Sequence, residues 1–354
     1  MDAKTLRILS LDGGGARGYL SVSFLSKLQT YFDKPLWQIF DVIAGSSTGG
    51  MQALSYAYGK TIDEVKAFYT SQAPWVFTIR NAIDVATGSI NASTPSNRPN
   101  TAQKIAILAD NGYLYRSIST ESNYGSARLK SVLTDNFGTS TLQNLKTNVL
   151  ITSINDATKS PIIFSNLDDP NYSGKNLPIV DVALATGAAP IYLPPQLINN
   201  QNYIDGGVYQ NNPAQLALNM GRRIKPLANR LCILSLGTGL GDFGFDEVSP
   251  QNLRLLQSYS LLPFEQTIKD LVALFDKAMV GSQESVAKAL SLVSDPAIPS
   301  NLFHYRFQPD LDLSRDTELD NTDSDFFAYL SDLATTTYNN DIDNISTFMG
   351  RLLV

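Results

Sequence analysis

Residues 6–58 read LRILSLDGGGARGYLSVSFLSKLQTYFDKPLWQIFDVIAGSSTGGMQALSYAY. Leu6–Leu11 is a short apolar run stopped by glycines, the pattern of a strand buried in a parallel sheet. Leu20, Phe24, Leu25, Leu28 and Phe32 recur at three- and four-residue intervals and predict one apolar helix face over about 18–32. FDVIAG, residues 40–45, predicts a second strand, and Thr48 to Tyr58 a second helix. This order implies an α/β architecture with a parallel sheet and right-handed crossovers. Function in such a sheet sits at the carboxyl ends of the strands. LDGGGARG (11–18) and AGSSTGG (44–50) both begin there, so neighbouring strands would bring them into one crevice.

The rest of the chain extends this pattern. Residues 71–112 form a long excursion, apolar but aperiodic at first and then rich in turn residues, and read either as a cover for the crevice or as a plain insertion. Helical periodicity returns at 126–136, and strands are expected near 147–154, 160–165 and 228–239. The C-terminal third reads as mostly helical, with one strand-like segment at 302–309. Within it, Phe264, Ile268, Leu271, Val272, Phe275 and Met279 share one face of a helix over 264–280, for core packing or for a lipid-facing or lid role. One domain over 1–354 is expected, with a core over about 6–240 and a mostly helical portion over about 250–354.

Composition narrows the function classes. The 354 residues are 43% hydrophobic and 17% charged, a globular balance, and no run approaches 18 consecutive apolar residues. A net charge of −6 opposes a general nucleic-acid or polyanion role. One cysteine, Cys232, excludes an internal disulfide, and its setting LCILSLG makes it a buried strand residue. With one histidine besides, the chain lacks the ligands of a common zinc site, and no metal or organic cofactor is expected. The start, MDAKTLRILSLDGG, has no signal-peptide pattern. Cytoplasmic residence, or a peripheral place at membranes, is the expectation, with secretion only by a signal-independent route.

Gly45-Ser46-Ser47-Thr48-Gly49 fits Gly-x-Ser-x-Gly with Ser47 at the centre, and small residues must flank a nucleophile on a sharp strand-to-helix turn. Ser46 falls off-centre and reads as a spacer. Asp12-Gly13-Gly14-Gly15-Ala16-Arg17-Gly18 presents successive backbone N–H groups before a helix, which suits an oxyanion hole or a phosphate cradle. Gly13, Gly15 and Gly18 formally satisfy G-x-G-x-x-G, but no acidic residue ends the second strand and no G-K-[ST] follows. An oxyanion hole explains the neighbouring serine turn better. Arg17 reads either as a support for the loop that adds positive potential or as a solvated helix-start residue.

The base has two candidates. Asp205, in Tyr203-Ile204-Asp205-Gly206-Gly207, ends a short apolar strand, and the two glycines after it allow close approach of Ser47. A turn aspartate is the bland alternative. Its ordinary pKa of about 3.9 makes it a weak base, raised by burial and lowered by nearby positive charge. His304 would instead complete a Ser47, Asp205, His304 order like that of α/β-hydrolase esterases. However, Phe303, Tyr305 and Phe307 alternate with His304 and Arg306, which places the histidine inside a strand.

The combination resembles the patatin-like phospholipases. DGGGARG is similar to the glycine-rich oxyanion segment of that family, GSSTGG to its nucleophile elbow, and YIDGGVYQNNP (203–213) to its D-G-G motif and the following Asn-Asn-Pro. ATGAAPIYLPP (185–195) resembles its alanine- and proline-rich segment, and LSLGTG (234–239) and HYRFQP (304–309) also match. Ser46 in place of a common threonine and Gly187 in place of a frequent serine are departures that remove no catalytic group. The resemblance implies a three-layer α/β/α fold with a mainly parallel central sheet and additional C-terminal helices. It also implies Ser47 as nucleophile between the elbow glycines Gly45 and Gly49, Asp205 as base, and Gly13, Gly14 and Gly15 with Arg17 as oxyanion site.

The expected activity is hydrolysis of carboxylic esters in a membrane phospholipid or other glycerolipid, at a bilayer or micelle surface, through an acyl-enzyme. Phospholipase A action is expected, with lysophospholipase action and an activator left open. The alternatives are the His304 esterase and a non-catalytic lipid-binding or storage protein of the same fold.

Overall fold

A computed structural model of the chain describes residues 4–77, 126–190, 192–241, 279–294 and 301–354, apart from residues 313, 316 and 318. Most of the 71–112 excursion, and residues 264–278 of the expected 264–280 helix, lie outside the described residues.

The strands are β1 (Thr5–Leu11), β2 (Val42–Gly45), β3 (Asn148–Asn155), β4 (Ser160–Phe164), β5 (Gln196–Ile198), β6 (Gln201–Asp205), β7 (Arg230–Leu236) and β8 (Leu302–Phe307). Between and after them run helices α1 (Gly18–Leu28), α2 (Leu36–Ile39), α3 (Ser47–Tyr58), α4 (Ile62–Ser71), α5 (Ala73–Val76), α6 (Ser126–Phe137), α7 (Ile179–Thr186), α8 (Gly207–Gln210) and α9 (Ala214–Ile224). Helix α10 covers 279–293, and α11 (Ser324–Asn340) and α12 (Ile342–Leu353) close the chain. The expected elements over residues 6–58 are all present, and the 18–32 helix ends at Leu28 and continues as a 3-10 turn over Gln29–Tyr31.

Among the described residues, one eight-stranded sheet organises these elements. Strands β3, β2, β1, β7 and β8 pair in parallel, while β4, β5 and β6 are antiparallel additions. The centre of the sheet is buried on both faces. Leu9 and Leu11 of β1 join Ile43, Ile151, Leu234 and Leu236 in the larger core, whereas Leu6 and Ile8 join Val42, Leu150 and Ile233 in the smaller one. The period-two alternation of a strand therefore feeds two helical layers. Residues of α1, α3, α4, α6, α7, α11 and α12 cover the first face, and those of α9 and α10 the second. The mainly parallel α/β/α arrangement with C-terminal helices matches the expectation.

Local chemistry marks the ends of several elements. Helix α3 stops at Gly59, whose φ of +113° is strained for any side chain. Thr61 and Glu64 then form a reciprocal capping box that starts α4. Asp41, before β2, accepts a hydrogen bond from the Arg7 amide and pairs with Lys225 at 2.7 Å, which is a structural task. Cys232 is fully buried in β7, as its setting predicted. Among the described residues no helix is long and apolar enough to cross a membrane.

Candidate active site

Strand β2 ends at Gly45 and helix α3 begins at Ser47, so the turn between them has a single residue to reverse the chain direction. Ser46 is extended, with φ −124° and ψ 142°, and Ser47 has φ +53°. A left-handed serine of this kind stores about 1–3 kcal/mol of strain and persists only where its surroundings over-determine it. Here three bonds do so. The Ser46 amide donates to the Leu11 carbonyl at 3.2 Å, the Gly50 amide to the Ser46 carbonyl at 3.1 Å, and the Ser47 amide to Thr186 Oγ1 at 3.0 Å. A Cβ on Gly45 would strike the backbone of Gly49, and one on Gly49 would strike the carbonyls of Leu11 and Asp12. Both positions are glycine because main chains touch there. Ser47 is 8% exposed, whereas Ser46 is fully buried.

The sheet register brings Asp205 to this turn. Ile151 of β3 pairs with Gly45 of β2 on one side and with Phe164 of β4 on the other. Two residues further on, Ser153 pairs with Ile162 of β4 and with Asp205 of β6. Strand β4 thus flanks one side of β3 over Ile151–Asn155, and β2 and β6 share its other side end to end. Because β6 runs antiparallel to β3, its last residue points back at the end of β2. Asp205 lies two residues beyond the level of Gly45, and the chain leaving Gly45 reaches Ser47 two residues later, at the start of α3. Gly206 lets the chain leave β6 against the backbone of Thr152, where a Cβ has no room.

Asp205 is fully buried. Its Oδ1 accepts a hydrogen bond from the Gly207 amide at 2.6 Å. Oδ2 has no fully formed hydrogen bond among the described residues, and the Ser47 hydroxyl lies close enough to favour the ionised carboxylate. Burial outweighs both effects and pushes Asp205 up from its ordinary 3.8 to about 7. The carboxylate can therefore gain and lose a proton near neutrality.

The glycine loop faces the same point. A Cβ on Gly13 would come within 2.9 Å of Ser47 Cβ. The Gly13 amide is occupied by the Asn211 carbonyl at 3.3 Å, and its carbonyl accepts from Asn211 Nδ2 at 3.2 Å and from Thr238 Oγ1 at 2.8 Å. The Ala16 amide donates to the Leu319 carbonyl at 2.6 Å. The amides of Gly14 and Gly15 have no acceptor among the described residues, and both residues line the cleft beside Ser47. Gly15 has φ +56° and packs against the Leu319 carbonyl, so a side chain there is excluded twice. Arg17 is 1% exposed, which removes its reading as a solvated helix-start residue. Asp12, at the root of the loop, pairs with Arg306 of β8 at 2.6 Å; burial, opposed by that guanidinium, raises its carboxyl to about 6.

His304 lies elsewhere. It pairs with Ile233 in a register that continues through Ile8 to Val42, three residues before the end of β2. Three strand spacings to the side and about 10 Å back along the strands, it is far outside hydrogen-bond reach of Ser47. Its Nε2 is buried without a partner among the described residues, and burial lowers its pKa to about 4. It is a neutral strand residue.

Ser47 and Asp205 open on a cleft with about 640 Å³ of empty space, part of it continuous with solvent. Met51, Phe68, Val76, Leu129, Leu193 and Met279 supply much of its wall. This apolar lining suits an acyl chain better than a polar metabolite. Tyr69, also on the wall, is held by Thr48 Oγ1 at 2.6 Å and Gln52 Nε2 at 2.7 Å, a buried link between α3 and α4. The sequence reading missed roles for Thr186, Asn211 and Thr238. Each lies within a motif quoted for its resemblance, but only the folded chain shows what its polar group holds.

A calcium-independent phospholipase A2-gamma of Mus musculus is 27% identical over 332 residues, 92% of this chain and 38% of its own. A cGAMP-activated phospholipase of Pseudomonas aeruginosa is 30% identical over 237 residues, 66% of this chain and 62% of its own. The chain thus spans less than two thirds of the length of either relative. A solved human GIVD cytosolic phospholipase A2 covers 99% of this chain and 60% of its own, at 13% identity and a TM-score of 0.40. Residues 9–218, more than half of the chain, match the sequence profile described as patatin-like phospholipase, and the chain belongs to that family.

Proposed function

We propose that the chain is a lipid acyl hydrolase of the phospholipase A type, which cleaves carboxylic esters of membrane glycerolipids with Ser47 as nucleophile and Asp205 as base. The observation that carries this reading is the head-on meeting of β2 and β6, which sets Ser47 against a fully buried carboxylate at the mouth of an apolar cleft. The acyl chain lies along the apolar wall with its carbonyl carbon above Ser47 Oγ. Asp205 takes the hydroxyl proton as Oγ attacks. The amides of Gly14 and Gly15 donate to the oxyanion, with Gly13 kept bare so that the loop reaches the nucleophile and Arg17 supporting the loop from below. As the bond to the glycerol oxygen breaks, Asp205 returns the proton to that oxygen, and an acyl ester remains on Ser47. Water then enters, Asp205 takes its proton, and the fatty acid leaves as Ser47 Oγ regains it.

A base at about 7 supports this cycle because it can accept a proton in one half and release it in the other. The relative named as a cGAMP-activated phospholipase identifies a class of activator to test first. Mixed-composition liposomes incubated with and without cGAMP, and analysed for products by mass spectrometry, should show fatty acid and lysolipid with wild type and neither with Ser47→Ala or Asp205→Asn. A fluorophosphonate probe should label Ser47 alone. Substantial turnover by either variant would refute the dyad. His304→Phe is expected to keep activity, and its loss would restore the triad. Wild type that neither turns over lipid nor labels would favour a lipid-binding module.

A further inference from the structure

The C-terminal turn of α7 touches both members of the proposed dyad, although neither belongs to that helix. Thr186 Oγ1 accepts the amide proton of Ser47 at 3.0 Å and donates its own to the Thr152 carbonyl of β3 at 2.7 Å. Two residues later, the Ala188 carbonyl accepts the amide proton of Asp205 at 3.0 Å. Thr186 is fully buried, and Ala188 is 1% exposed. Thr152 is also fully buried and immediately precedes Ser153, the register partner of Asp205.

The chemistry of these bonds is selective. Ser47 opens α3 and, with φ +53°, has its amide turned out of the sheet ladder and out of the helix ladder. A buried amide in that position must find an acceptor. A hydroxyl whose own proton is already committed to a carbonyl presents only its lone pairs, so Thr186 can hold the Ser47 amide in one orientation. A valine would fill the same space with no acceptor.

We infer that Thr186 is a positioning residue for the hydrolytic reaction, holding the nucleophile at the separation from the base that Ala188 sets through the Asp205 amide. This rests on Ser47 and Asp205 acting as the dyad. Displacement of a reacting group by about 1 Å can lower the rate about 100-fold. The loss should fall on kcat and spare KM, because Thr186 is not among the residues that line the cleft.

Thr186→Val, Thr186→Ser and wild type should be compared for kcat, KM, the pH dependence of kcat and the rate of fluorophosphonate labelling, with Ser47→Ala and Asp205→Asn as controls. Thr186→Val is expected to lose about 10- to 100-fold in kcat and in labelling rate, with KM unchanged within about threefold. Its pH inflexion should rise, since a displaced Ser47 hydroxyl favours the ionised Asp205 less. Thr186→Ser should recover most of the activity. If Thr186→Val does not fold, Thr186→Cys supplies a weak acceptor of similar volume and should fall between valine and serine. A valine variant with lowered melting temperature but unchanged kcat, labelling and pH profile overturns the inference, as does a serine variant as impaired as valine. Activity in the Ser47→Ala control would instead show that the dyad itself is misassigned.

Discussion

Replacing Asp205 by asparagine should abolish turnover and at the same time stabilise the fold. Asp205 is fully buried, and its carboxyl is raised from 3.8 to about 7, with burial as the largest cause. A raised carboxylate contributes its stability below the unfolded value and loses it as pH rises through the folded value. At about 1.4 kcal/mol per pH unit, the raised carboxyl lowers the stability of the fold, relative to acid pH, by about 2 kcal/mol at pH 5, where only the unfolded chain ionises, and by about 4 kcal/mol at pH 8. Asparagine keeps the acceptor for the Gly207 amide, which Oδ1 now satisfies at 2.6 Å, and directs an amide donor toward the Ser47 hydroxyl. For 354 residues, 4 kcal/mol corresponds to about 5 °C in melting temperature. Thermal melts of wild type and Asp205→Asn between pH 5 and 8 should therefore diverge with rising pH, the variant being the more stable. A variant less stable at pH 8, or a difference independent of pH, would mean that the carboxylate is not held against a burial penalty.

The same carboxyl predicts that kcat/KM on a neutral short-chain ester rises with pH through an inflexion near 7, as Asp205 loses its proton; a flat profile from pH 5 to 8 removes it as base. Gly13→Ala drives a Cβ into Asn211 Oδ1 and to 2.9 Å from Ser47 Cβ and should lower kcat by about 100-fold or more, measured beside a melt that confirms folding. Arg306→Met leaves Asp12 without its 2.6 Å partner and should destabilise by about 3–5 kcal/mol at pH 8. The deficit should shrink toward pH 5, because Asp12 titrates at about 6 and is then largely protonated in the wild type too.

Local pattern made much of the fold legible. The glycine stops after Leu11 and at Gly45, with the helical periodicity between and after them, predicted β1, α1, β2 and α3 because backbone sterics and one-sided burial act within a few residues. Candidate site residues were legible for a related reason: Gly45, Gly49 and Gly13 stand where main chains or Ser47 approach too closely for a side chain. Long-range polar partners were not. Nothing near Thr186 in the chain says that its hydroxyl meets an amide 139 residues away, and nothing near Asn211 says that it brackets Gly13.

By itself, then, the sequence determined the strand-turn-helix units, the small residues of the elbow and the shortage of imidazole. Tertiary structure decided which carboxylate faces the serine, how far its proton affinity rises, and where the lone histidine sits. Those outcomes depend on sheet register and burial. The pairing of β2 and β6 along one side of β3 places two chain ends head-on, and a carboxyl taken out of water there exchanges its proton near neutrality, which no local arrangement of residues can specify.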